Sequence, residues 1–380
     1  MESFNGKLRD ELLENGHVRC PCRFMRLHLL LAIVLCLPAC SLRTAPRSTT
    51  GVGGKANGER GDRTVSVDTV PTDVSCTEAP NAKQQPWNHQ ISAAIADGTP
   101  HHRGIDLITS TAADPQHIDG HVAYGRVVDK SLEGEAVQLF ACMSGTWQPL
   151  GVVVSDDKGS FDLALTGAER LPLGMRSLYL MVLGDLTGVQ SLALVLSPGT
   201  ALAVSDVGGT LTSSENAFPR SLVTHETVHA NEGAAAALTT LNRRGYPLVY
   251  VTARSNRFTQ QTRDWLSANN FPLGPVRFAS SITLPGRATV HYKLGVLQAF
   301  LKDGLPIAVG IGNRASDQMA YSLAGVDPQR TFLKMPEFER ELQPLLDAYP
   351  PLAVGFESYR DIQATFAELP AQSPAGAAAR

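Results

Sequence analysis

From residue 199 onward, short apolar runs alternate with stretches of helical spacing, and that rhythm leaves few folds open. Ala201–Asp206, Leu248–Thr252, Ile307–Ile311 and Thr331–Leu333 read as buried strands. Between them, Glu226–Arg244, Phe258–Asn269 and His291–Asp303 place apolar residues three and four apart, and a further helix runs through Ala324. The first of these predicted helices stops at Gly245 and the third at Gly304. Strands separated by helices cannot pair as hairpins, so they are expected to lie parallel with helices on both faces. In such sheets ligands collect beyond the carboxyl ends of the strands.

Four polar clusters fall at those ends. The first strand runs into Asp206-Val207-Gly208-Gly209-Thr210-Leu211-Thr212, and the second into Thr252-Ala253-Arg254-Ser255. Lys293 lies near a helix start, and Gly312-Asn313-Arg314-Ala315-Ser316-Asp317 follows the third strand. Taken singly, each has an ordinary explanation, such as helix capping, a strand end or a solvated lysine. Together they suit phosphoryl transfer. A nucleophilic aspartate splits one hard displacement into two easier steps. A hard cation on oxygen ligands offsets the repulsion between carboxylate and phosphate. Threonine hydroxyls and a lysine can hold phosphoryl oxygens.

The four clusters resemble the haloacid-dehalogenase superfamily and, within it, the lipin-type phosphatidic acid phosphatase domain. A related domain ends the retinal-degeneration-B class of phosphatidylinositol transfer proteins. Asp206–Thr212 is similar to the lipin Asp-x-Asp-Gly-Thr-x-Thr save at one position, and Thr252-Ala253-Arg254 to its Ser/Thr-Ala-Arg segment. His291-Tyr292-Lys293 is similar to its lysine segment, and Gly312–Tyr321 matches Gly-Asn-Arg-x-x-Asp-x-x-Ala-Tyr throughout. The resemblance covers residues 199–369. It implies a Rossmann-like α/β domain and a Mg²⁺-dependent phosphatase acting on phosphatidic acid or a related phosphomonoester through an aspartyl-phosphate. Asp206 is then the nucleophile, with Thr252 and Lys293 beside it in catalysis. Thr210, Thr252, Arg254 and Lys293 bind phosphate, and Asp206, Gly208, Asn313 and Asp317 form the Mg²⁺ site.

Gly208 is the departure. The family places there the aspartate that protonates the leaving alcohol and then activates water, a role that typically contributes about 10²–10⁴-fold. The expected activity is therefore impaired, and the alternative is a catalytically inactive module that binds phospholipid head groups. A superfamily branch that cleaves carbon–phosphorus bonds also lacks this acid. Catalysis can then rest on a good leaving group or a substitute acid; Glu215, His225 and His229 lie nearby in the sequence, but read first as residues of a helix-flanking surface.

Upstream, residues 119–197 hold six short strands at regular spacing with a turn at Asp156-Asp157-Lys158-Gly159, the pattern of a small β-sandwich. By analogy with the lipins it is the counterpart of their immunoglobulin-like β segment. Residues 41–115 are rich in Ser, Thr, Gly, Pro and Arg and read as a flexible linker, and 370–380 as a disordered tail.

Met25-Arg26 precedes an apolar run of about ten residues that ends in Leu37-Pro38-Ala39-Cys40. This resembles a bacterial lipoprotein signal, which makes Cys40 the lipidated first residue, Met25 the start, and 1–24 an upstream extension. The expected place is the extracytoplasmic, periplasmic side of a bacterial envelope, with the membrane surface and a phospholipid or small phosphomonoester as partners. A net charge of −3 with no long basic run argues against nucleic acid. Past Cys40 only Cys76 and Cys142 remain, and in an oxidising compartment the two can pair.

Overall fold

The computed structural model describes residues 70–125, 128–215, 217, 227–280 and 286–372. The leader with Cys40, the upstream extension, His225 and the tail beyond 372 lie outside the described residues.

The first part is all β apart from one short helix, α1 (Gln90–Ala96). Its strands are β1 (Thr72–Asp73), β2 (Thr99–Pro100), β3 (Arg103–Gly104), β4 (Leu107–Ser110), β5 (Gln116–His121), β6 (Ala123–Gly125) and β7 (Lys130–Ser131). They continue with β8 (Ala136–Met143), β9 (Thr146–Val154), β10 (Ser160–Leu165), β11 (Gly174–Val182) and β12 (Gly188–Leu196). The larger sheet has the order β4-β12-β11-β8-β9 with β1 also on β11, and β10-β5-β3 forms a second sheet. Val137, Leu139 and Ala141 of β8 alternate inward and meet Ile118, Phe161 and Leu165 from the second sheet, so a period of two builds one shared core.

Residues 70–115 depart from the expected linker. Strand β4 pairs in parallel with β12, β1 pairs with β11, and Cys76 forms a disulfide with Cys142. The sequence hides this because the stretch is held by a side-chain staple and by edge pairing, neither of which needs a long apolar period.

The second part is a six-stranded parallel sheet. Its strands are β13 (Leu202–Ser205), β14 (Leu248–Ser255), β15 (Val276–Ala279), β16 (Ile307–Gly312), β17 (Thr331–Lys334) and β18 (Val354–Phe356). Between and after them come α2 (Ala234–Arg243), α3 (Thr259–Ala268), α4 (Arg287–Lys302), α5 (Ala315–Leu323), α6 (Glu339–Leu346) and α7 (Tyr359–Glu368). The strand order is β15-β14-β13-β16-β17-β18. The order reverses between β13 and β16, which makes that crevice the topological switch point.

Along β13, Ala203 packs with Leu238, Leu241 and Phe366 on one face. Leu202 and Val204 pack with Val296, Leu297 and Phe300 on the other. Burial on both faces explains why these strands read as continuous apolar runs. Ile108, Leu194 and Leu196 of the β part join the second cluster, so the two parts share apolar contact.

The joint is also polar. Asp106, just before β4, accepts from Leu192 N at 2.8 Å and from Val276 N at 2.7 Å, and it pairs with Arg263 of α3. The tail reading gives way at its first residues. Gln372 bonds Ala201 through both ends of its side-chain amide and donates its backbone N–H to Arg244 O.

Candidate functional site

Strand β13 ends at Ser205, and the next residue, Asp206, is 4% exposed at the switch point. Its backbone N–H donates to Ile311 O of β16 at 2.9 Å, which ties the loop to the neighbouring strand. Lys293, in the second turn of α4 and 5% exposed, reaches down between two acids. Its ammonium donates to Asp206 Oδ1 at 2.7 Å and to Asp317 Oδ1. Burial pulls the Lys293 pKa down, but the Asp206 and Asp317 carboxylates outweigh it and hold the ammonium well above its ordinary value.

Asp317, the other acid expected at the metal site, lies buried beside Lys293. Its Oδ1 takes the lysine, while Oδ2 accepts the backbone N–H groups of Asn313 at 3.0 Å and Arg314 at 3.1 Å. Those amides precede α5, so the carboxylate meets a counter-charge on one oxygen and caps a helix start with the other. Three residues cannot be bridged this way unless the tertiary fold brings α4 over β13 and β16.

The loop after Asp206 is shaped by Gly209, whose φ is +66°. A Cβ there would meet Asn313 Nδ2 at 2.1 Å, so only glycine lets the Asn313 amide lie against the backbone. The Thr210 hydroxyl lies 3.1 Å from both Asp206 Oδ2 and Asn313 Oδ1 and carries one proton to give to either. Tyr359 Oη and Asn231 Nδ2 both donate to Thr210 O and fix the loop from outside. Neither was found from the sequence, since one comes from α7 and the other precedes α2.

Thr252, 1% exposed, lies on β14, beside β13, and its hydroxyl accepts the Arg254 backbone N–H at 3.4 Å. The Arg254 guanidinium turns toward the loop: a Cβ at Gly208 would stand 3.2 Å from its Nη2. Burial lowers the Arg254 pKa to about 10, against the opposing charges of Asp206 and Glu215.

Glu215 differs most from its expected surface role. A Cβ at Gly208 would lie 3.4 Å from Glu215 Oε1, and Glu215 Oε2 accepts from Asn313 Nδ2 at 3.1 Å. Burial, with the Asp206 charge next in weight, pushes its carboxyl up to about 7. Glu337, just beyond β17, holds it there. Its Oε2 accepts Glu215 N at 2.8 Å and its Oε1 accepts Ser214 Oγ at 3.0 Å. A glutamate in a polar loop carries no sequence signal for such a turn inward. The one hint was the vacancy at Gly208. His229 stays exposed.

Among the described residues no group of three or more His, Cys, Asp or Glu side chains is arranged to hold a metal. Two oxygens that suit a cation, Asp206 Oδ2 and Asn313 Oδ1, each lie 3.1 Å from the Thr210 hydroxyl. Thr210 can satisfy only one of the two at a time. Few protein oxygens with room for water suit Mg²⁺, which gives up its hydration reluctantly.

Residues 203–334 match the family model described as the LNS2 domain of PITM 1-3, and residues 100–195 match the PITM 1-3 beta-sandwich domain. Membrane-associated phosphatidylinositol transfer protein 1 of Rattus norvegicus is 25% identical over 279 residues, covering 71% of this chain and 22% of that protein. Protein retinal degeneration B of Drosophila melanogaster is 24% identical over 259 residues, covering 67% and 20%. The chain spans about a fifth of the length of these curated relatives. Among solved structures, a HAD-like phosphatase from Mesorhizobium loti aligns with 46% of this chain and 88% of its own, at 16% identity and a TM-score of 0.34.

Proposed function

Because this chain carries an LNS2-type, haloacid-dehalogenase-like domain behind the β-sandwich domain of the PITM proteins, we propose that its α/β part is a Mg²⁺-dependent phosphatase of phosphomonoesters, with phosphatidic acid as the preferred class. The observation that carries this reading is Asp206 buried at the switch point with Lys293 on one oxygen and Thr210 on the other. A nucleophilic carboxylate needs partners that hold its orientation, and it needs positive charge at hand for the phosphoryl oxygens. Lys293 and Arg254 bring that charge from two different elements. The hydroxyls of Thr210 and Thr252 supply hydrogen bonds.

Asp206, Asn313 and the Gly208 carbonyl would hold Mg²⁺. When bound, it offsets the repulsion between the nucleophile and the incoming phosphate. Proton transfer at the leaving oxygen falls to Glu215, the carboxyl against the vacancy at Gly208 and the one whose pKa lies near neutrality. A second reading is favoured by Gly208 itself. A head-group binding module would keep the phosphate contacts without needing an acid at that position.

The deciding experiment measures phosphate release from phosphatidic acid vesicles and from a soluble aryl phosphate, with and without Mg²⁺. Wild type is expected to turn over in Mg²⁺, and Asp206→Asn to be silent. Gly208→Asp is expected to raise the rate on phosphatidic acid by about 10-fold or more, the low end of what a positioned acid contributes. If wild type releases no more phosphate than Asp206→Asn, the enzyme reading fails and the binding reading stands.

We propose as well that the protein is anchored through Cys40 on the extracytoplasmic side of a bacterial envelope. A Cys76–Cys142 disulfide is compatible with an oxidising compartment. Cys40→Ser is expected to move the protein from the membrane to the soluble fraction, and unchanged partitioning sinks the anchor.

A further inference from the structure

We infer that Glu215 is a positioning residue for the cation site: its carboxylate fixes the Asn313 amide so that the oxygen, and not the nitrogen, faces Asp206. The inference rests on the reading above that a divalent cation binds beside Asp206.

An asparagine amide is nearly symmetric in shape and opposite in chemistry at its two ends. One orientation presents an oxygen that a cation can take, and the other presents an NH₂ that repels it. Asn313 Oδ1 lies 3.1 Å from Thr210 Oγ1, and Nδ2 lies 3.1 Å from Glu215 Oε2. Thr210 cannot choose between the orientations. Its hydroxyl donates to Asp206 Oδ2 at 3.1 Å and can accept from a reversed amide at the same time. Glu215 can choose, because its Oε2 accepts from Asn313 Nδ2, while a proton to be transferred sits on Oε1, the oxygen against Gly208.

The surroundings keep Glu215 in place for this task. Gly208 leaves open the space that the Glu215 carboxylate lies against, and Gly209 leaves open the space for the amide itself. Glu337 accepts both the Glu215 N–H and the Ser214 hydroxyl, so the backbone that carries the carboxylate is pinned from β17. Groups that orient a ligand in this way typically govern about 10–100-fold of metal affinity.

The test reads Mg²⁺ binding by titration calorimetry on the full chain, with no substrate present. Glu215→Ala is expected to weaken Mg²⁺ binding about 10–100-fold. Glu215→Gln keeps the shape and an accepting oxygen and is expected to lose less than 10-fold. In an Asn313→Asp background both ends of residue 313 are oxygen, so Glu215→Ala is expected to cost little or nothing there. Equal losses in the two backgrounds, or equal losses for the Gln and Ala variants, mean that Glu215 acts through its charge alone, and the inference is overturned. A wild-type chain that takes up no Mg²⁺ overturns the cation reading itself and this inference with it. Normal Mg²⁺ affinity in Glu215→Ala overturns the inference whether or not phosphatase activity is lost, whereas a wild type that binds Mg²⁺ and releases no phosphate overturns the enzyme reading alone.

Discussion

Lys293 carries the electrostatics of the site. Two carboxylates face one buried ammonium, with Asp317 0% exposed and Asp206 4%. Removing one partner of such a group leaves the others buried and uncompensated, which typically costs about 3–5 kcal/mol. Lys293→Met is therefore expected to lose stability on that scale in Mg²⁺-free urea unfolding. The loss should shrink as pH falls, because protonation removes the unpaired negative charges. Unchanged stability at neutral pH shows that Lys293 does not balance the pair. Much at this scale was visible beforehand. Asp206, Thr210, Thr252, Arg254, Lys293, Asn313 and Asp317 all lie around the switch point. The uses of two acids were not visible. Asp317 meets Lys293 and caps a helix start, and Glu215 turns inward. Both outcomes depend on partners from other elements, and no local pattern reports those.

At the scale of elements, Asp106 ties a loop of the β part to β12, to the start of β15 and to α3. Its side chain is fully buried, with Arg263 as counter-ion and two backbone amides as further donors. Asp106→Ala leaves the guanidinium without its counter-ion and both amides without their acceptor, so a loss of about 3–5 kcal/mol is expected in denaturant unfolding. Arg263→Ala combined with it should cost much less than the sum of the two single changes. Additive losses remove the claim that the pair acts as a unit. The strands and helices of the α/β part were legible because burial on one or two faces writes a period into the sequence. Helix α4 starts at Arg287, four residues earlier than the spacing suggested, so Lys293 lies in its second turn. Strands β15 and β18 and helices α6 and α7 were not read, being short or amphipathic over few turns. Residues 70–115 looked like a linker since their strands are short and their order comes from edge pairing and a disulfide.

For the whole molecule, the Cys76–Cys142 bridge closes a loop across a sequence separation of 66 residues and fastens the first described segment to β8. In the chain-entropy account a loop of that length is worth about 4 kcal/mol. Reduction, or Cys76→Ser with Cys142→Ser, is expected to lower unfolding stability by about that much, read as a shift in the urea midpoint. An unchanged midpoint means the bridge does not constrain the unfolded chain. By itself the sequence determined the two-part architecture, the parallel sheet, and the four clusters at strand ends. Each of those is a local pattern: a period, a turn, or a motif of adjacent residues. Only the tertiary structure decided that Lys293 bridges Asp206 and Asp317, and that Glu215 turns in against Gly208. It also decided that Asp106 joins the two parts. The physical reason is distance along the chain. Glu337 and Glu215 are 122 residues apart, and Asp106 and Val276 are 170 apart. Such contacts follow from how strands and helices stack, and a reading of neighbouring residues has no term for them.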